Sequence, residues 1–574
     1  MISARRTVAA SSAVMFCALM AAVTWSTNAA AQEAPAAATD NDDRQLQEVT
    51  VTGTRIKRTT DFTTPTPTTV IDAATLENLG VVNVGQVLEV TPANTSLFTP
   101  QTTGGSSFFT GAYVADLRGL NGFFGTRTLT LIDGRRAVPT NTGDSFDLNL
   151  IPGVLLKRID TVTGGASAAY GSGAIGGVIN IILDRQLEGG KLNADSYDTR
   201  YGDAADRHVS AAYGHDLFDN RMHLVIGGEF EKSGAAECQT SNRSWCNRDV
   251  GYYQIGTLAN GAPQYSDYPV PGLTDSLNNP NGTLTNFVMT APGTFNPVGP
   301  SLVANSLGNA FGPYVTNGAF NGGNGVAPGG QGTAVNLYYN LITPVQRTVG
   351  TAMLTAKVSE NITASLDLNW GTVTAVQLLG NGGESGFIGY DNPYLTPAAV
   401  SVLGPATSGN GYLLTKDFSS QLPNTQYADT TVKRISGGLD GRFGSSSWTW
   451  DAYGEYGLTE RQQGSPTDQS TIREQMALDV VEGPNGPECR VTAQGGAFGA
   501  ALNGLLGIGE PGGLAPYGFF TGPSYLTTAF LNEESALAGV APPNPATGLD
   551  GIDQANLLAQ GCVPVNPFGT QPLT

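Results

Sequence analysis

Charge is what this 574-residue chain has least of: Asp, Glu, Lys and Arg together make up 13% of it. A soluble domain of ordinary composition carries about twice that share. Long apolar runs are missing too, for nothing beyond the N-terminus approaches the ~20 residues that a membrane helix needs. A mean hydropathy of −0.09 therefore fits neither a charged soluble protein nor a helical membrane protein. It does fit strands that hide an apolar face at every second residue. Basic residues are outnumbered 48 to 29, and a formal net charge of −19 excludes nucleic-acid binding through the overall field. Histidine is almost absent: His208, His215 and His223 are spread over separate segments and form no ligand cluster. No nucleophile–base set and no paired acids stand out, so no enzyme is predicted.

What is present begins with a secretion signal over residues 1–31. Arg5 and Arg6 form its basic start, Thr7–Val23 its apolar stretch, and Ala29-Ala30-Ala31 a small-residue cleavage site. The exported chain keeps four cysteines, Cys238, Cys246, Cys489 and Cys562. Export favours disulfides, and four cysteines allow three connectivities. The local pairs Cys238/Cys246 and Cys489/Cys562 are preferred, since each lies within one polar or Gly/Pro-rich segment. A zinc site is the alternative, with no C-x-x-C or nearby histidine pair to support it.

Residues 32–60 read as a linker too polar and small-residue-rich to fold by itself. Within it, Leu46-Gln47-Glu48-Val49-Thr50-Val51-Thr52 is a β-prone run ended by Gly53, able to add as a strand to a partner's sheet edge. Residues 61–185 read as a compact α+β unit. A helix is expected over Ile71–Gly80, with Asp72 as its N-cap, and a second over Val84–Val90. Then follow Arg118-Gly119, a buried strand running into Asp133-Gly134-Arg135-Arg136, and Ile151-Pro152. The unit closes with LLKRIDTVTGGASAAYGSGAIGGVINIIL at 155–183, which contains Gly165, Tyr170, Gly171, Gly177 and Asn180.

These signals, in this order and spacing, resemble the plug domain of TonB-dependent outer-membrane receptors. The resemblance implies that residues 46–52 are a TonB box, gripped by a TonB-type energy-coupling protein. It also implies transport of a scarce solute, such as a siderophore or oligosaccharide, across the outer membrane of a Gram-negative bacterium, without a cofactor. The same segment contains a rival motif, because Gly171-Ser-Gly173-Ala-Ile-Gly176 satisfies the G-x-G-x-x-G dinucleotide fingerprint. A true fingerprint opens a helix. Here Gly177-Val-Ile-Asn-Ile-Ile follows, a poor helix start, so a packing turn is expected instead.

Beyond about residue 186 the pattern becomes long amphipathic strands. Ile362, Ala364, Leu366, Leu368, Trp370, Val376 and Leu378 share one face, with Thr363, Ser365, Asp367, Asn369 and Gln377 opposite. Such strands suit lipid outside and a polar lumen inside. Seven are counted, near 191–198, 206–214, 222–231, 348–358, 361–379, 430–443 and 447–462. Short turns alternate with long loops over about 232–347, 380–429 and from 463 onward, as in outer-membrane barrels. The expected fold is thus a plug followed by an antiparallel β-barrel (186–574). Plugged transporters have ~22 strands and open edges cannot face lipid, so the reading is the N-terminal part of a larger receptor. A passive porin and a non-functional truncated fragment are the alternatives. Loop tyrosines such as Tyr252, Tyr253, Tyr338 and Tyr339 are read first as girdle or loop-packing residues and second as solute contacts.

Overall fold

The computed structural model describes residues 68–493 and 561–570. Excepted are 73–74, 76–82, 96–97, 102–108, 122–125, 165–166 and short loop stretches within 239–253, 276–277, 292–293, 316–325, 335–338, 379–382, 406–410 and 466–476. The secretion signal, the linker and the β-prone run 46–52 lie outside the described residues.

The first unit is built on a five-stranded mixed sheet. Its strands are β1 (Thr68–Asp72), β2 (Thr128–Ile132), β3 (Arg135–Arg136), β4 (Leu156–Val162) and β5 (Gly177–Leu183), in the order β1-β4-β5-β2-β3. The pair β2/β5 is parallel and the others are antiparallel. β5 is central, which explains its β-branched run GVINIIL: both faces are covered. The longest helix among its described residues, α1 (Val84–Glu89), starts where the Asn83 side chain accepts the Gly85 N–H. Ile71 and Asp72 correct one expectation: they are the end of β1, paired with Ile159 and Arg158, not the start of a helix. The run Thr68-Thr-Val-Ile is β-branched throughout, and a free edge on β4 gives it a partner.

Seven long strands follow: β6 (Gly189–Tyr197), β7 (Asp206–Leu217), β8 (Met222–Ser233), β9 (Val345–Ser359), β10 (Ile362–Leu378), β11 (Thr425–Arg442) and β12 (Thr449–Gly464). They form one antiparallel meander in sequence order. Most have 12 to 18 residues, more than the ~9–11 that cross a bilayer. Turns at 218–221, 360–361 and 443–448 lie at one end, and the long connections all lie at the other. The alternation is realised in space. Leu366, Leu368, Val376, Ile435, Leu439, Tyr456 and Leu458 are exposed on the outer face. Asp367, Gln377, Thr430, Arg434 and Ser436 are buried on the inner face. Among the described residues β6 and β12 each pair on one side only, so the wall is open.

The long connections are more ordered than their composition suggests. Short strands Thr283–Thr285, Leu302–Ala304, Phe311–Pro313, Gly383–Gly389 and Gly411–Asp417 make a five-stranded sheet. It carries a second core of Leu284, Leu302, Ile388, Tyr412, Leu414, Leu478 and Phe568. Cys238 is bonded to Cys246 and Cys489 to Cys562, which uses up the sulfurs that a zinc site would need.

Candidate functional site: the plug and its wall

The motif residues gather around the sheet of the first unit. Asp133 and Gly134 both have positive φ, 49° and 79°, so the β2–β3 hairpin closes through a type I′ turn. The turn is fastened to β5: the Gly134 N–H donates to Asn180 Oδ1 (2.9 Å), and the Leu183 N–H to Asp133 Oδ1 (3.0 Å). Burial pushes the Asp133 carboxyl up, against the pull of Arg185 beside it. Arg136 donates to the Tyr170 carbonyl at 2.7 Å. A Cβ on Gly171 or Gly173 would come 3.3 or 3.6 Å from that guanidinium, so the G-S-G turn leaves room for an arginine. Gly177 has φ 142°, and a Cβ there would lie 2.2 Å from the Val162 carbonyl and 2.5 Å from Leu117. The fingerprint therefore opens a three-residue 3-10 turn (Ser172–Ala174) and then strand β5, as a packing turn would.

Arg118 and Gly119 are consecutive left-handed residues, at φ 64° and 63°. They turn the chain where the Arg118 N–H donates to the Ala93 carbonyl. Pro152 is buried and leads into a second 3-10 turn, Gly153–Leu155. Gly165 lies outside the described residues.

This unit is seated on the polar face of the wall. Arg347 on β9 is fully buried and held by Glu229 and Glu231 of β8. From that cluster Arg347 donates to the Asn149 carbonyl (3.2 Å), and Glu229 accepts the Gly153 N–H (2.6 Å). His208 extends the cluster, with Nδ1 3.0 Å from Asp195 and Nε2 3.1 Å from Glu229. A second anchor joins Arg185 to Asp133 (3.0 Å) and to Asp367 on β10 (2.5 Å). A third stacks Arg135 over the Tyr453 ring at 4.2 Å while pairing it with Asp451. Between these anchors wall glycines receive apolar side chains: Gly227 faces Leu155, Gly371 faces Leu150, and Gly457 faces Val138.

Asp147 is a fourth element, on the unit's own side. Its carboxylate accepts the N–H groups of Tyr113 (3.1 Å) and Asn149 (3.0 Å), shaping the 3-10 turn Leu148–Leu150 that meets Arg347. Burial pushes Asp147 up to about 6, against these hydrogen bonds and nearby arginines. A gap of about 370 Å³ remains beside Arg136, bounded by Thr128, Thr130, Val138, Asp144, Phe146 and, on β12, Glu455.

None of Glu229, Glu231, Arg347 or Asp367 was singled out from sequence as a seat for the plug. Each sits at an ordinary polar position of an alternating strand, and only strand register brings them together. His208 belongs to no ligand cluster in the sequence, and only strand register brings it between two carboxylates.

Residues 60–178 match the family model of the TonB-dependent receptor plug domain. Solved structures similar to the chain include the ferric enterobactin receptor of Pseudomonas aeruginosa, at 15% identity and TM-score 0.37, covering 69% of this chain and 41% of that one. Another is the siderophore receptor PirA of Pseudomonas aeruginosa, at 12% identity and TM-score 0.29, with 70% and 51% covered. A third is the ferric-catecholate import receptor Fiu of E. coli K12, at 15% identity and TM-score 0.31, with 70% and 50% covered. The chain spans about half or less of the length of each. It carries a TonB-dependent receptor plug domain, continued directly into a wall of seven antiparallel barrel-type strands.

Proposed function

We propose that this chain supplies the plug and the first wall strands of a receptor in the outer membrane of a Gram-negative bacterium. The receptor imports a scarce solute, a siderophore, an oligosaccharide or similar, driven by a TonB-type partner. One observation carries the reading most: a plug domain is fastened to the polar face of a wall whose other face is apolar. A diffusion channel has no use for such an obstruction. In this reading the solute binds between the long loops and the plug. The run Leu46–Thr52 then becomes available to the partner as an added strand, and pulling on it shifts the plug. No covalent step is required of any residue.

The test is accumulation of radiolabelled ferric siderophores and oligosaccharides in cells that depend on the receptor containing this chain. Accumulation should stop when the proton gradient is collapsed. Val49→Pro, which removes a ladder donor, should stop it while surface binding persists. Uptake that survives a collapsed gradient would instead make the protein a passive channel. Unchanged uptake in the Val49→Pro receptor would remove residues 46–52 from the coupling role.

A further inference from the structure

The segment 561–570 has no helix or strand of its own, yet it bonds to the long connections after β8 and β10 and back onto the stretch after β12 to which it belongs. The Gly569 N–H donates to the Asn281 carbonyl (2.8 Å) and the Thr570 N–H to Ser306 (3.0 Å), both in the connection after β8. Lys416, in the connection after β10, is fully buried, and its Nζ donates to the carbonyls of Pro567 and Gly569, each at 2.7 Å. The Val565 N–H donates to Ala477, in the connection after β12. There too Cys562 is joined to Cys489, with Cα atoms 6.1 Å apart.

The seat is shaped for this segment. Phe568 is 2% exposed, packed with Leu284, Tyr412 and Leu414, and its ring meets Phe311 edge-on at 4.9 Å. Small residues let the backbones touch: a Cβ on Gly308 would lie 2.3 Å from the Phe568 carbonyl, and one on Gly569 2.5 Å from that of Ser306. One aromatic anchor, one amine clamping two carbonyls and one disulfide therefore hold ten residues that share no ladder with their surroundings.

We propose that residues 561–570 form a releasable strap that ties the three long connections into a single cap. Seated, the strap makes the connections move as one body. Released, it uncovers an apolar groove lined by Leu284, Phe311, Tyr412 and Leu414. The strap carries one covalent and several non-covalent fastenings, so the two kinds can be undone separately. A dithiol reductant takes up the disulfide by forming its own, leaving Cys489 and Cys562 as thiols. The seated Phe568 and the Lys416 clamp are left in place.

Amide hydrogen exchange on the purified receptor containing this chain, in lipid, reads the strap directly. In the unreduced protein the amides of Gly569 and Thr570 are expected to be protected. Phe568→Ala should speed their exchange roughly hundredfold or more, the scale of a lost buried aromatic anchor. Dithiothreitol on the wild-type protein should speed it roughly tenfold or more, since an opened strap is then no longer kept near its seat. The amides of β9 and β10 should not change in either case. Unchanged exchange at Gly569 and Thr570 in both experiments would overturn the proposal. So would β9 and β10 opening together with them, which would make the segment part of one cooperative core. Because the readout is exchange and not uptake, the result is independent of whether the receptor transports as proposed.

Discussion

The plug–wall seam and the loop cap are held together by opposite means. In the seam, charged side chains are held between charged partners: Arg347 fully buried between Glu229 and Glu231, Arg185 half-buried between Asp133 and Asp367. In the cap the centre is apolar, with Leu284, Ile388 and Tyr412 fully buried, and the outer fastening is covalent. Buried ion pairs gain little net stability over apolar packing, but removing one partner leaves an uncompensated charge at a cost of about 3–5 kcal/mol. Apolar packing loses contacts in proportion to what is cut away and has no such all-or-none character. The seam is thus strict about register and the cap is tolerant of it.

The largest effect should come from breaking the seam. Arg347→Met takes the guanidinium from Glu231, leaves Glu229 with His208 and the Gly153 N–H alone, and unmoors the Asn149 carbonyl, which should destabilise the seating of the plug by about 3–5 kcal/mol. Faster exchange at the Gly153 amide would report it, and a protected Gly153 would show that the seam does not depend on this cluster. Leu284→Ala should cost the cap about 2–5 kcal/mol. That loss should stay in the cap, and proteolysis of the long connections without any change at Gly153 is the expected pattern. If the plug loosens as well, the two regions are one unit and the contrast fails.

Gly227→Leu should push on Leu155 and loosen the seam by about 1–3 kcal/mol through overpacking. It should leave the cap untouched, as read by chemical denaturation of the plug against protease sensitivity of the loops. The smallest effect is a pH dependence. Asp147 is raised in the fold to about 6 from an ordinary 3.8, so the folded plug binds its proton more tightly than the unfolded chain does. The plug should therefore gain stability as pH falls from about 6 towards 4, and lose that gain as pH rises back through 6. Asp147→Asn should flatten the dependence. A plug that is steadily less stable between pH 6 and 4, with the slope unchanged in the variant, would reverse the assignment.

How much of this was legible in the sequence depends on the range of the interactions. The wall strands could be counted because alternation over 12 to 18 residues is a local signal. The glycine turn could be separated from a nucleotide site because its successor, Gly177–Leu183, is visibly a strand. Residues 71–72 misled, since Asp before a mixed run imitates a helix cap, while the strand partner on β4 lies nearly ninety positions on. The seam was invisible for the same reason. Glu229 and Arg347 are 118 residues apart, and nothing in either neighbourhood names the other. The cap was read as loops because its strands have three to seven residues, too short to show a period.

The three wall glycines add a mechanical consequence. Leu155, Leu150 and Val138 fit into them as pegs into shallow sockets, and a peg can leave its socket without leaving a charge behind. Resistance to motion along the wall is therefore concentrated at a few charged rivets, with low friction between them. A force applied to the plug would be met at Arg347, Arg185 and Arg135, and once those let go the remaining surface could slide.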